Sequence, residues 1–387
     1  MNNINIRFQT ARAIFILVLF SFLNTYAYSD QSNLSKQIKE AIYNGVCFLE
    51  KFQLETGGFE NETTNDLKKE HWILERTNAV PSYVLLSMRY LKGGKAKLIR
   101  KKLVDFLMKN KEPPGVWRYW EPEDKRYRLR SPDSDDTAVA WIGLWTQGLS
   151  IPDNVISYLK LFRGPDGKIW TWIDKKIFRF DKAAEWYLNS VIISLIHGLS
   201  NDANEVDVIP WNDSIPRAGD VDAVANINVL LMFALAEQSD EKILSFVVDS
   251  FTSGEFKKGS LFYPSPRTFT QALMRAYWLG KIKELEPLTE LVQEYLLEPE
   301  NCNFSDDPPM ETALTLAALI YSGYKGDEIR KGIGRILKLQ KENGSWPSSV
   351  CWRGDFEHQH CLFRSKAYTT ALCLEVLDMY LNQRLEN

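Results

Sequence analysis

Apolar segments with helical spacing recur along this chain at intervals of roughly 40 to 55 residues, and that recurrence constrains the fold more than any other feature. Their starts fall near Asn78, Asp135, Ala184, Val221, Arg267, Met310 and Ser365. Within them apolar residues return every three or four positions, as in Val224, Ile227, Leu231, Ala234 and Leu235, or in Ala367, Ala371, Leu374 and Leu381. No stretch of comparable length alternates with a period of two, so the chain reads as all-α. Each interval has room for a helical hairpin and its loop. Pro81, Pro132, Pro266 and Pro309 stand at or just before apolar runs, where a missing N–H is tolerated. No Ser/Gly linker or low-complexity tract follows residue 37, so residues 35–387 read as one domain of hairpins. Periodicity alone does not choose between an open solenoid and a closed ring.

Composition narrows the function classes. With 45% apolar and 25% charged residues the chain is of ordinary globular type, and its 12 Trp, 16 Tyr and 20 Phe must serve mostly as core. A net charge of -3 gives no general attraction to nucleic acid, which is set aside as a partner. At the amino terminus Arg7 and Arg12 precede an apolar run from Ala13 to Leu23, with Thr25 and Ala27 placed for cleavage after Ala27. Residues 1–27 therefore read as a signal peptide or, uncleaved, as a membrane anchor, and the protein as exported or membrane-tethered. Five cysteines (Cys47, Cys302, Cys351, Cys361 and Cys373) are an odd number and too few for a disulfide scaffold.

Two segments share a finer pattern. In one, Phe48 and Leu49 are followed by Gln53, Gly57 and Phe59; in the other, Ile336 and Leu337 are followed by Gln340, Gly344 and Trp346. Both read as a helix ending near Gln, a Gly turn, and a ring that packs back on the structure. This is similar to the QW repeat of squalene and hopene cyclases, in which the Gln amide and the ring tie neighbouring hairpins together. Degenerate versions end at Trp117 and Trp170.

A sharper match is the run from Asp133 to Val139, DSDDTAV. It resembles the DxDD motif of class II terpene cyclases, including the Thr-Ala that follows it in the squalene-hopene branch. The resemblance covers about residues 35 to 387 and implies a single α/α toroid, an α6/α6-like barrel of helical hairpins. It further implies acid-initiated cyclisation of an isoprenoid, with Asp135 as general acid and Asp133 and Asp136 tuning and orienting it. The chemistry stands without the family name: three carboxyls crowded at a helix entry cannot all ionise cheaply, so one keeps its proton. A cation formed by that proton needs aromatic walls, which attract it and offer no nucleophile. Trp117, Tyr119, Trp120, Trp141 and Tyr263 are the candidate pocket residues. No cofactor is expected, although a diphosphate-bearing substrate would bring Mg²⁺. Class II cyclases normally hold substrate between two toroids and this chain has room for one, which leaves a partner subunit as an open expectation.

Other readings remain open beside this one. Ser, Asp and Thr at a helix start are favoured caps, and a capping cluster needs no substrate. Arg126, Arg128 and Arg130 are candidates for diphosphate contacts or for ion pairs with Glu121, Glu123 and Asp124. Protein prenyltransferases share a similar toroid but hold zinc; Cys302, Cys351, Asp355, His358, His360 and Cys361 are ligand types, yet the Asp-x-Cys spacing is missing and no metal is expected. Cys351 and Cys361 suit a small disulfide loop equally well. A secreted glycan-active α/α barrel would also explain export, paired carboxylates and aromatic platforms. The third class is a binding toroid that has kept the fold without the chemistry.

Overall fold

The computed structural model describes residues 32–66, 68–129, 131–173, 219–354 and 361–383. The amino-terminal basic and apolar segment, Arg130, the helix start near Ala184, His197, and Asp355, His358 and His360 lie outside them.

Helices dominate. They are α1 (32–52), α2 (Ala79–Ser87), α3 (Gly94–Asn110), α4 (Ser134–Trp145), α5 (Asp153–Lys160), α6 (Ala223–Leu235), α7 (Glu241–Thr252), α8 (Pro266–Gly280), α9 (Leu288–Leu297), α10 (Pro309–Tyr321), α11 (Asp327–Leu339) and α12 (Lys366–Gln383). Two kinds of sequence produce two kinds of helix. Segments such as AVANINVLLMFAL in α6 are apolar on all sides and are buried from Val224 to Phe233. A segment such as DEIRKGIGRILKL in α11 is apolar along one stripe, and buries Ile329, Gly332, Ile333 and Ile336 there.

The first kind forms the inner ring. Helix α2 packs on α4, α4 on α6, α6 on α8, α8 on α10, α10 on α12, and α12 back on α2. The ring is closed, so the architecture is a toroid and not a solenoid. Six of the starts expected from the sequence fall within two residues of these inner helices' first residues. Hairpin partners flank them: α3 packs on α2, α7 on α6, and both α9 and α11 on α10. Away from the site described below, Arg89 locks the end of α2 to Tyr321 of α10 and to Glu375 of α12, the latter at 2.9 Å.

The Gln and Gly positions act as ties. Gln340 Nε2 donates to the Ala41 carbonyl in α1 at 2.9 Å and to Gly344 O at 3.0 Å, while Trp346 Nε1 donates to Ile336 O at 2.7 Å. Gln53 Nε2 does the same with Gly57 O and Ile99 O of α3. At Gly344 the backbone has φ +88°, and an added Cβ would lie 2.2 Å from the Asn44 carbonyl oxygen, so only glycine fits.

One addition to the helical reading is a four-stranded antiparallel sheet in the order β2–β1–β4–β3: β1 (Glu60–Thr64), β2 (Ile73–Arg76), β3 (Ser349–Arg353) and β4 (Leu362–Ser365). The β1–β4 pairing joins the early and late parts of the chain, with Thr63 opposite Phe363. Strands of four or five residues are too short to display a period of two, which is why the sequence conceals them.

Candidate active site

The acidic run enters α4. Asp133 precedes the helix in extended conformation, and its Oδ1 accepts the Asp136 N–H at 2.7 Å. As a cap this contributes about 1 kcal/mol and needs no ligand. The same turn crowds three carboxyls together. Asp133 and Asp136 are 6% and 5% exposed, whereas Asp135 keeps partial exposure and opens into a pocket at the mouth of the ring.

Burial pushes the Asp133 carboxyl up to about 7, and its hydrogen bond with Asp136 draws it part of the way back. Burial and then the facing Asp133 charge hold Asp136 well above the usual carboxylate range, so Asp136 is the member of that pair that keeps a proton. Burial also raises Asp135 to about 6, against the opposing hydrogen bonds from Asn228 and Tyr263.

Asp135 is held from two sides. Asn228 Nδ2, on α6, donates to Oδ1 at 2.7 Å, and the Tyr263 hydroxyl, just ahead of α8, donates to Oδ2. Tyr83 on α2 lies behind Tyr263, their hydroxyl oxygens 2.6 Å apart. With the Tyr263 hydrogen committed to an ionised Asp135, Tyr83 is the donor of that pair. Because Asn228 fixes Oδ1 as an acceptor, the proton of a neutral Asp135 resides on Oδ2.

Aromatic rings make most of the wall: Trp120, Trp172, Phe262, Tyr263, Trp352 and Phe363 all line the pocket, with Tyr119 beside them. Most of them are held by contacts outside the pocket. Glu75, 3% exposed, accepts from the Tyr119 hydroxyl at 2.7 Å and from Trp120 Nε1 at 3.1 Å. Asp220 accepts from Trp172 Nε1 at 2.9 Å, and Asp222, which caps α6, also accepts from Phe262 N at 2.9 Å. Trp352 stacks on Tyr368 at an interplanar angle of 8°. The cavity measures about 70 Å³. That is less than the ~150 Å³ that admits a benzene ring, so an isoprenoid enters only by displacing side chains.

The expected site residues separate into two groups. Asp133, Asp135, Asp136, Tyr119, Trp120 and Tyr263 meet at this pocket. Trp117 and Trp141 do not line it: they pack edge to face, each indole N–H donating to a backbone carbonyl, Leu107 O and Gly115 O. Arg126 pairs with Asp124 at 2.7 Å and with Glu75 at 3.2 Å, and lies over the Trp120 ring. Sequence reasoning missed Trp172, Phe262, Trp352 and Phe363, which sit on loops and short strands. It also missed Asn228, although Asn226 and Asn228 are the polar residues of an otherwise apolar helix.

All five cysteines are unbridged, and Cys351 and Cys361 are buried. Among the described residues, the cluster of metal-ligating side chains close enough to share an ion is Asp66, Glu70 and His71, none of them a residue singled out in the sequence as a zinc ligand. No helix among the described residues is long and apolar enough to cross a membrane.

No family model and no curated protein matches this sequence. Solved structures do. A protein from Actinoplanes superposes with a TM-score of 0.62 at 16% identity, over 89% of this chain and 99% of that one. The type II terpene cyclase MstE from Scytonema, without ligand, gives a TM-score of 0.61 at 15% identity, over 90% of this chain and 99% of that one. An arginine-to-alanine variant of MstE in complex with the substrate geranylgeranyl dihydroxybenzoate gives 0.60 at 15% identity, over 90% and 98%. The chain thus has the toroid fold of a type II terpene cyclase. The match spans nearly the whole of both chains, so the fold has solved counterparts of the same single-toroid extent.

Proposed function

We propose that this protein cyclises an isoprenoid by protonating it, with Asp135 as the acid. The observation that carries the reading is the position of Asp135: of the three crowded carboxyls it alone keeps partial exposure, opening on an aromatic-walled pocket, while Asp133 and Asp136 are buried. In the reaction the Asp135 Oδ2–H bond breaks and its electron pair stays on the carboxylate. The π pair of the substrate's terminal alkene forms the new C–H bond, and the tertiary cation is attacked by the next alkene, closing a C–C bond. The rings of Trp120, Trp172 and Trp352 stabilise the travelling positive charge without capturing it. Loss of a proton at the end leaves an isomer of the substrate.

Asp136, protonated, and Asp133, its partner and the helix cap, hold the turn that aims Asp135. Nothing in these steps requires a metal or cofactor from this chain. Export or tethering by the amino-terminal segment belongs to the same proposal, and an isoprenoid dissolved in a membrane is the substrate compatible with it.

The narrow pocket favours a second reading, a toroid that binds a small ligand and no longer cyclises. Incubation with linear prenylated substrates in D₂O separates the two. A cyclic product carrying one carbon-bound deuterium at the former chain terminus supports protonation, and recovery of unlabelled linear substrate from every chain length rejects it.

A further inference from the structure

Arg275, on α8, is 3% exposed and lies outside the pocket lining. Its NH2 donates to Asn228 Oδ1 at 2.7 Å, and its Nε has no hydrogen-bond partner. Among the described residues no carboxylate is within ion-pairing distance of it. A buried guanidinium without a counter-ion costs several kcal/mol, so its charge needs an answer nearby. The answer lies across one amide. Since a guanidinium only donates, Asn228 must turn its oxygen to Arg275 and its NH₂ to Asp135, which settles the amide's orientation. Both bonds polarise that amide in one direction, toward a negative Asp135.

We propose that Arg275 is a positioning residue for proton transfer: through Asn228 it stabilises the carboxylate that Asp135 becomes on giving up its proton. The proposal rests on the cyclisation reading above and extends it to a residue that touches neither substrate nor acid. Groups facing Asp135 come from every surrounding element: Tyr83 from α2, Asp133 and Asp136 from its own helix, and Asp222 at the head of α6. Tyr263 and Arg275 come from the α8 side and Tyr368 from α12. Among these the cation is Arg275. Tyr83 and Tyr368 both hold their protons, chiefly because they are buried, so they supply hydroxyl dipoles and no charge. An ionised Asp135 therefore meets the Asp222 carboxyl, which opposes it, and the Arg275 guanidinium, which favours it; the buried guanidinium that lines the pocket, Arg353 of β3, acts on Asp222.

The test reads Asp135 itself. Its carboxyl stretch is titrated by infrared difference against Asp135→Asn, in the wild-type protein, in Arg275→Gln and in Arg275→Lys. Gln keeps a donor for Asn228 and removes the charge, so the Asp135 midpoint moves up by about one pH unit; Lys, which keeps the charge, brings it back toward wild type. In the cyclisation assay Arg275→Gln loses about tenfold to a hundredfold in kcat with KM unchanged, because the pocket is intact. A folded Arg275→Gln protein with an unmoved Asp135 midpoint overturns the proposal. Should that variant fail to fold, Arg275→Met, an uncharged side chain of similar length that suits a buried site, takes its place: an upward Asp135 midpoint supports the proposal and an unmoved one rejects it. If the wild-type protein makes no cyclic product, the cyclisation reading fails while the infrared titration still decides whether Arg275 acts on Asp135.

Discussion

The hydroxyls of Tyr83 and Tyr263, 180 residues apart in sequence, lie 2.6 Å from each other behind the pocket wall. Tyr263 passes its own hydrogen to Asp135. Three helical segments, α2, α4 and the approach to α8, are thus joined at the proposed acid by two hydroxyls. Tyr263→Phe removes a donor that favours the Asp135 anion. The limb of the pH–rate profile on which activity falls as Asp135 ionises, set near 6 in the native site, is expected to move to higher pH. Its plateau falls about tenfold, the cost of a weaker acid. A profile that keeps its limb in Tyr263→Phe contradicts the assignment.

Stability should carry the signature of the carboxyl cluster. Asp133, Asp135 and Asp136 all have folded-state values raised above those of an unfolded chain, so the folded protein binds protons more tightly. Their contribution is complete below about pH 4 and is lost as pH rises through about 6 for Asp135 and about 7 for Asp133. Asp136→Asn supplies a neutral side chain of the same shape and so removes the cost of keeping that carboxyl protonated at high pH. At pH 8 it should stabilise the fold by on the order of 1–3 kcal/mol, and at pH 4 the gain should vanish. Denaturant unfolding at the two pH values is the measurement; a loss of stability at pH 8 speaks against the shared-proton picture.

Glu75 is the anchor of the aromatic wall. It accepts from Asn61, Tyr119, Trp120 and Arg126 while almost wholly buried. Glu75→Ala leaves those donors unpaired and is expected to cost about 3 kcal/mol or more. Glu75→Gln, which keeps an acceptor, costs less and frees one end of Trp120, visible as altered tryptophan fluorescence in a folded protein.

The ties between hairpins are weaker and local. Gln340→Ala removes donors to Ala41 O and Gly344 O and should destabilise by about 1–3 kcal/mol without touching the pocket. A chemical denaturation curve with the wild-type slope and a lower midpoint is the expected result, with the Asp135 titration unmoved.

Much of this was legible in the sequence because helices bury whole faces. Six inner helices were placed by the apolar runs that begin near Asn78, Asp135, Val221, Arg267, Met310 and Ser365, and the DSDDTAV run marked the acidic turn. Gln340 and Trp346 announced a tie before the contact was visible. The wall of the pocket was not legible, because Trp352 and Phe363 reach it from strands of five and four residues, and Phe262 from a loop. Trp117 and Trp141 were drawn toward the pocket by proximity to the motif, yet both spend their indole N–H on backbone carbonyls in the packing behind it. Arg275 and Asn228 sit on different helices, and one chain's sequence says nothing about which helical faces meet.

The central claim is that Asp135 gives its proton to a prenyl chain, and one comparison tests it most directly. Residues 28–387 and their Asp135→Asn variant are incubated with squalene, prenyl diphosphates and prenylated benzoates of several lengths, and extracted products are identified by mass spectrometry. The account expects a cyclic isomer from the wild-type protein and none from Asp135→Asn, whose unfolding midpoint at neutral pH equals or exceeds wild type because a buried carboxyl has been neutralised. Equal product from both proteins would contradict it, and so would the absence of product from every substrate by a wild-type protein that is folded.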